Sequence, residues 1–219
     1  MKYSCFLFDL DNTLVVSEPI IFAAINHVAE KYTGKRYTPD QIRSLYGPPE
    51  RGMIEAIVAP GVVTEAVESF HEYYEQHHDQ HAYVIPGIRE SLQKLYDAGA
   101  SMAIITGKGS RSTETTLRLL GLRQFFGALV TGETVRRWKP DPAPALRALQ
   151  ILTKSPAEAL FVGDQLADLG CARAAGVDFA AALWESFQKE RMIAERPTLV
   201  FWKPEDFSAW VEKFVGVGG

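Results

Sequence analysis

Cysteine is scarce in this chain: 219 residues contain two, Cys5 and Cys171. That excludes a disulfide-stapled scaffold and suits buried thiols in a reducing compartment, so a cytoplasmic location is expected. Long apolar runs are missing as well, none approaching the roughly 18 residues of a membrane span. Nor does one sign of charge dominate, with 23 Lys and Arg against 27 Asp and Glu and no long basic block. No nucleic-acid partner and no anionic membrane surface are therefore expected. The chain enters an apolar, strand-like run almost at once, which argues against a secretory signal peptide. It carries no internal repeat and no low-complexity tract. Its length suffices for a substantial core, as one domain or as a core with an insertion.

What is present starts with Cys5-Phe6-Leu7-Phe8, too short for a typical helix and free of polar residues. Such a run predicts a buried strand. It ends in two carboxylates two residues apart, Asp9 and Asp11, followed by Asn12, Thr13 and Leu14. Open parallel sheets bind ligands just outside the carboxyl ends of their strands, so these acids stand where chemistry occurs. The plainer alternative is a turn in which Asp and Asn cap the next element.

From Ser17 to about Ala82 the pattern is helical. Ile20, Ile21, Ala24, Ile25, Val28 and Ala29 recur at helical spacing. Thr38-Pro39-Asp40-Gln41 predicts a helix start, with Thr38 as cap and Pro39 in the first position. After Pro86-Gly87, strands predicted at 101–106, 128–131, 159–162, 178–183 and 198–201 alternate with helices at 88–97, 112–120, 142–152, 169–175 and after Pro204. That alternation predicts an α/β fold, a doubly wound, Rossmann-like parallel sheet with an inserted all-helical segment. The expected division is a core of residues 1–15 plus 83–219 and a helical cap of residues 16–82.

Three of the predicted strands end in polar residues of related chemistry. Asp9 and Asp11 follow the first. Thr106-Gly107 follows the second, offering a hydroxyl and backbone N–H groups ahead of a helix, an anion site. Gly163-Asp164-Gln165-Leu166-Ala167-Asp168 follows the fourth; if it enters a helix, Asp164 and Asp168 share one face. Between them Pro140 biases Lys139 toward an extended conformation, from which its ammonium can reach across the strand ends. Four carboxylates in one cleft repel one another unless cations neutralise them, and one lysine is too few. A hard divalent ion, Mg²⁺, fits that donor set. Metal, Lys139 and the Thr106 site together would surround a phosphoryl group, and one carboxylate could attack phosphorus to form an aspartyl-phosphate.

Taken in order, Asp9-x-Asp11-x-Thr13, Thr106, Lys139 and Gly163-Asp164-x-x-x-Asp168 resemble the four motifs of the haloacid dehalogenase superfamily, over nearly the whole chain. The insertion after the first motif resembles its helical-cap branch, which includes phosphoglycolate-phosphatase-like enzymes. The resemblance implies that Asp9 is the nucleophile and that Asp11 protonates the leaving oxygen and then activates water. It implies that Asp9, the Asp11 backbone carbonyl and Asp164 hold Mg²⁺, that Thr106 and Lys139 bind phosphate, and that Asp168 supports the metal or Lys139. Dehalogenases of the superfamily carry a different residue at position 11, so phosphate-ester chemistry is implied instead of halide displacement. Asn12 stands where many relatives have Gly, Val16 where many phosphatases have Asp, and Gly107 where Asn is frequent.

The function implied is a Mg²⁺-dependent phosphatase acting on a small phosphorylated metabolite, as a monomer or homodimer. The alternatives are a phosphosugar mutase of the same fold and a non-catalytic regulatory protein. Within the helical segment, Gly47-Pro48-Pro49-Glu50-Arg51 reads either as a helix break or as a specificity loop with Arg51 meeting a substrate anion. Gly107-x-Gly109 lacks the third glycine of a dinucleotide fingerprint and is read as a phosphate-facing turn. His77, His78 and His81 lack a further ligand nearby in sequence, so a solvated helix face is expected there instead of a metal site.

Overall fold

Alternation along the first strand assigns its side chains to two different cores. In the computed structural model, which describes residues 2–216, β1 spans Cys5–Phe8. Phe6 and Phe8 join one apolar cluster and Cys5 and Leu7 the other, as a period of two requires. All four residues are fully buried, which explains why the run has no polar member.

The chain then forms β2 (Val15–Val16), followed by α1 (Glu18–Thr33), α2 (Pro39–Arg43), α3 (Glu50–Glu55), α4 (Val63–Gln76) and α5 (His78–His81). It returns through β3 (Tyr83–Val84), which pairs antiparallel with β2, Val15 facing Val84 and Val16 facing Tyr83. Next come α6 (Ile88–Asp97), β4 (Ser101–Ile105), α7 (Ser110–Leu119), β5 (Ala128–Val130) and α8 (Ala143–Leu152). The remaining elements are β6 (Ala159–Gly163), α9 (Leu166–Ala174), β7 (Asp178–Ala182), α10 (Lys189–Ala194), β8 (Leu199–Phe201) and α11 (Pro204–Gly216).

Six strands form a parallel sheet in the order β5-β4-β1-β6-β7-β8. One face is covered by apolar residues of α6, α7 and α11, among them Leu92, Leu117 and Phe207. The other is covered by α8, α9 and α10 through Leu149, Leu169 and Met192. This is the doubly wound fold expected from the sequence. The order of strands reverses at β1, so the carboxyl ends of β1, β4 and β6 form the crevice where such sheets bind ligands.

The inserted helices pack around a third cluster that includes Ile20, Ile25, Ile54, Phe70 and Tyr74. Thr38 caps α2 as predicted, its hydroxyl accepting from the Gln41 N–H while Gln41 Oε1 accepts from the Thr38 N–H at 2.8 Å. The expected solvated histidine face is not what forms. His78 is fully buried and its Nε2 lies 3.0 Å from Thr116 Oγ1 on α7, while His77 stacks on Tyr73. The two-residue strands β2 and β3 escaped prediction because so short a run has no readable period. Among the described residues, no helix is long and apolar enough to cross a membrane.

Candidate active site

The β1 terminus delivers Asp9 into the crevice, where it is 4% exposed. Its backbone N–H donates to Val162 on β6 at 3.0 Å, locking the turn to the neighbouring strand. Asn12 then adopts φ 63°, a left-handed conformation that Asn tolerates better than most residues. That requirement accounts for Asn12 where many relatives of the motif carry Gly.

Asp164 and Asp168 arrive from the end of β6, but not as neighbours on a helical face. The helix begins only at Leu166, so Asp164 precedes it, and Asp168 occupies its first turn. Asp168 Oδ2 accepts from the Gln165 N–H at 3.0 Å, a capping contact that turns the carboxylate back toward the strand. Gly163 permits this, because a Cβ there would fall 2.6 Å from Asp168 Oδ2.

These three buried carboxylates each offer an oxygen within 4.8 Å of the others. Lys139 is the cation among them, its Nζ 2.8 Å from Asp9 Oδ1 and 2.6 Å from Asp168 Oδ1. It also donates to the Ile105 carbonyl at 3.1 Å. Burial disfavours the charge on Lys139, but Asp168 and Asp9 outweigh it and hold the ammonium above the ordinary lysine range. Burial raises both Asp9 and Asp164, helped by carboxylate repulsion and opposed by Lys139. One lysine thus leaves an uncompensated negative charge among oxygen donors, a set suited to a hard divalent cation.

Thr106 and Gly107 line the same cavity as Asp9, Asp11 and Lys139. The expected anion site at the following helix is partly occupied by the protein itself. Glu50 Oε2 accepts from the Gly109 N–H at 2.8 Å and Glu133 Oε2 from the Ser110 N–H at 3.0 Å. The Gly109 and Ser110 N–H groups at the start of α7 are thus engaged by carboxylates of the chain itself.

Asp11 stands apart from the three clustered acids. Its Oδ1 accepts from Lys108 Nζ at 2.9 Å and from the Ser17 hydroxyl. Lys108 also donates to Ser17 Oγ at 2.7 Å and to Tyr74 Oη at 3.0 Å. Tyr74 Oη in turn lies 2.8 Å from Thr116 Oγ1, the partner of His78. Burial alone would lower Lys108, but Asp11 and Tyr74 hold it above the usual lysine range. The sequence assigns none of Lys108, Ser17 and Tyr74 to the site; the one available signal is the position of Lys108 two residues after Thr106.

Arg51 does not reach the cavity. It pairs with Glu55 at 2.9 Å on the insert surface, its side chain 54% exposed. Glu50, its neighbour, points inward instead, 5% exposed. The cavity, of about 390 Å³, is walled on the insert side by Glu18, Ile21, Tyr46, Pro48, Pro49 and Met53.

Known proteins resemble this chain over nearly its whole length. The family model of haloacid dehalogenase-like hydrolases matches residues 6–182. Pyrophosphatase PpaX of Anoxybacillus flavithermus is 30% identical over 206 residues, covering 94% of this chain and 95% of that protein. A candidate phosphoglycolate phosphatase from Lactobacillus plantarum has a TM-score of 0.74 at 26% identity, covering 94% of this chain and 98% of its own. CbbY from Rhodobacter sphaeroides, in complex with phosphate, shares the fold with a TM-score of 0.80 at 21% identity, covering 94% of this chain and 95% of its own. With its motifs clustered at the strand ends, the chain belongs to the haloacid dehalogenase-like hydrolases, in their phosphoglycolate-phosphatase-like branch, and is an enzyme of the phosphatase type.

Proposed function

We propose that this protein hydrolyses the phosphate ester of a small metabolite in two steps, with Asp9 as nucleophile and Mg²⁺ as cofactor. The observation that carries the reading is the convergence of Asp9, Asp164 and Asp168 on Lys139, beside a cavity lined by Thr106 and Asp11. In the first step an Asp9 oxygen attacks phosphorus, the ester P–O bond breaks, and Asp11 gives its proton to the leaving oxygen. In the second, Asp11 takes a proton from water as that water attacks phosphorus, and the bond to Asp9 breaks to release phosphate.

Lys139 engages Asp9 through Oδ1, orienting the carboxylate and contributing positive charge for the phosphoryl oxygens. Thr106 and Gly107 complete the phosphate site. Asp9, Asp164 and Asp168 would hold Mg²⁺, with the Asp11 backbone carbonyl; when bound, the ion supplies charge stabilisation to the transferring phosphoryl group. Residues 16–82 serve as a cap whose closure excludes water from the first step. Hydrolysis is favoured over a mutase reaction, because a mutase must hold a second phosphate and, apart from Lys139 at the transferring phosphate, the cation among the described lining residues is Lys108, which is engaged by Asp11.

The test is phosphate release from aryl and alkyl phosphates with Mg²⁺ or with EDTA. Metal-dependent release that disappears in Asp9→Asn is expected. Equal release with EDTA, or an active Asp9→Asn, would overturn the reading.

A further inference from the structure

The loop expected to present a cation to the substrate presents a carboxyl group instead. Glu50 lies in the first turn of α3, lines the cavity, and reaches across from the insert to the Gly109 N–H at the start of α7. The contact is built into both partners. A Cβ at position 109 would collide with Glu50 Oε2, so glycine there makes room for the carboxylate. Burial pushes the Glu50 carboxyl up, while its own backbone N–H, the nearby Lys108, Ser112 and the Gly109 N–H oppose it.

The remaining charges on the leaving-group side are spent. Lys108 is bound to Asp11, Ser17 and Tyr74. Glu18 is neutralised by Arg43, whose Nε and Nη2 reach its two oxygens at 2.9 and 2.8 Å. Ile21, Tyr46, Pro48, Pro49, Met53 and Trp138 supply an apolar wall. A leaving group carrying a second anion would find no unpaired cation among the described lining residues, and would face Glu50. To occupy the start of α7 it would have to displace Glu50 and loosen the contact between insert and core.

We propose that Glu50 is a specificity-determining residue that selects against anionic leaving groups, so that the substrates are phosphate monoesters of neutral or cationic alcohols. This rests on the phosphatase reading above. It sets the chain apart in preference from a pyrophosphatase or a phosphoglycolate phosphatase, whose leaving groups are anionic.

The test uses three aryl phosphates that differ only at the para position: carboxylate, hydroxymethyl and aminomethyl. With Mg²⁺, the wild-type kcat/KM for the carboxylate ester is expected to lie at least about tenfold below that for the hydroxymethyl ester. The aminomethyl ester should do at least as well as the neutral one. Glu50→Gln keeps an acceptor for the Gly109 N–H but removes the charge, and should shrink the discrimination to within about threefold. A wild-type enzyme that uses the carboxylate ester as well as the neutral one would overturn the proposal, as would a ratio unchanged in Glu50→Gln. Failure to turn over any of the three would instead overturn the phosphatase reading, and this proposal with it.

Discussion

The Lys108 ammonium sits 2.9 Å from Asp11 Oδ1, on a side chain that is 3% exposed, and joins the proposed acid–base residue to the inserted helices through Tyr74. A buried cation of this kind is costly unless its partners are in place. Here Asp11 lies between β1 and β2, while Ser17 and Tyr74 belong to the inserted segment. Lys108 therefore links the orientation of the Asp11 carboxyl to the contact between insert and core.

Lys108→Met should lower kcat/KM for alkyl phosphates by about 100-fold, the lower end of what positioned acid–base catalysis contributes. The loss should be much smaller for 4-nitrophenyl phosphate, whose leaving group departs without a proton. Inhibition by inorganic phosphate should change little, since Lys139 and Thr106 are untouched. An equal loss for both substrate types would show that Lys108 acts on phosphate binding and not through Asp11.

Lys139→Met should destabilise the fold as well as abolish turnover. It leaves Asp9, Asp164 and Asp168 buried together without their cation, and breaking a buried pair costs about 3–5 kcal/mol. Mg²⁺ should raise the Tm of this variant more than that of wild type, because it supplies the missing charge. Unchanged stability in the absence of metal would contradict this account of the charge balance.

His78 makes stability depend on pH in a stated direction. Burial, with Lys108 nearby, pushes the imidazole down to about 4, so the folded state holds it neutral where the unfolded chain would protonate it. The His78 contribution should be flat above the ordinary histidine pKa of about 6.5 and should lower stability by about 3 kcal/mol as pH drops toward 4. Urea unfolding at about pH 7 and about pH 5 should show a steeper loss in wild type than in His78→Gln. Equal slopes would mean that His78 does not titrate as its surroundings dictate.

The sheet was legible because its central strands are buried on both faces and therefore written as short apolar runs, as in Cys5–Phe8 and Ala159–Gly163. Its polar ends were legible for the same reason: Asp9, Thr106 and Asp164 interrupt apolar runs where a sheet has an edge. Lys108 and Glu50 were hidden because their roles depend on distant partners. Lys108 meets Asp11 across 97 positions and Glu50 meets Gly109 across 59. His78 has the local pattern of a solvated face amid Glu75, Gln76, Asp79 and Gln80, and it is tertiary contacts, Thr116 on α7 and the Tyr74 ring among them, that bury it. Arg51 and Glu50 are adjacent in sequence, and the start of α3 sets which of them turns inward.

The most direct test of the central claim is to identify the residue that carries phosphate during turnover. Wild-type enzyme turning over an aryl phosphate with Mg²⁺ would be quenched in acid within one turnover, and the acyl phosphate reduced with borohydride before peptide mapping. The account predicts a modified side chain at Asp9, absent without substrate. Modification at Asp11 or any other residue, or steady phosphate release by Asp9→Asn, would contradict it.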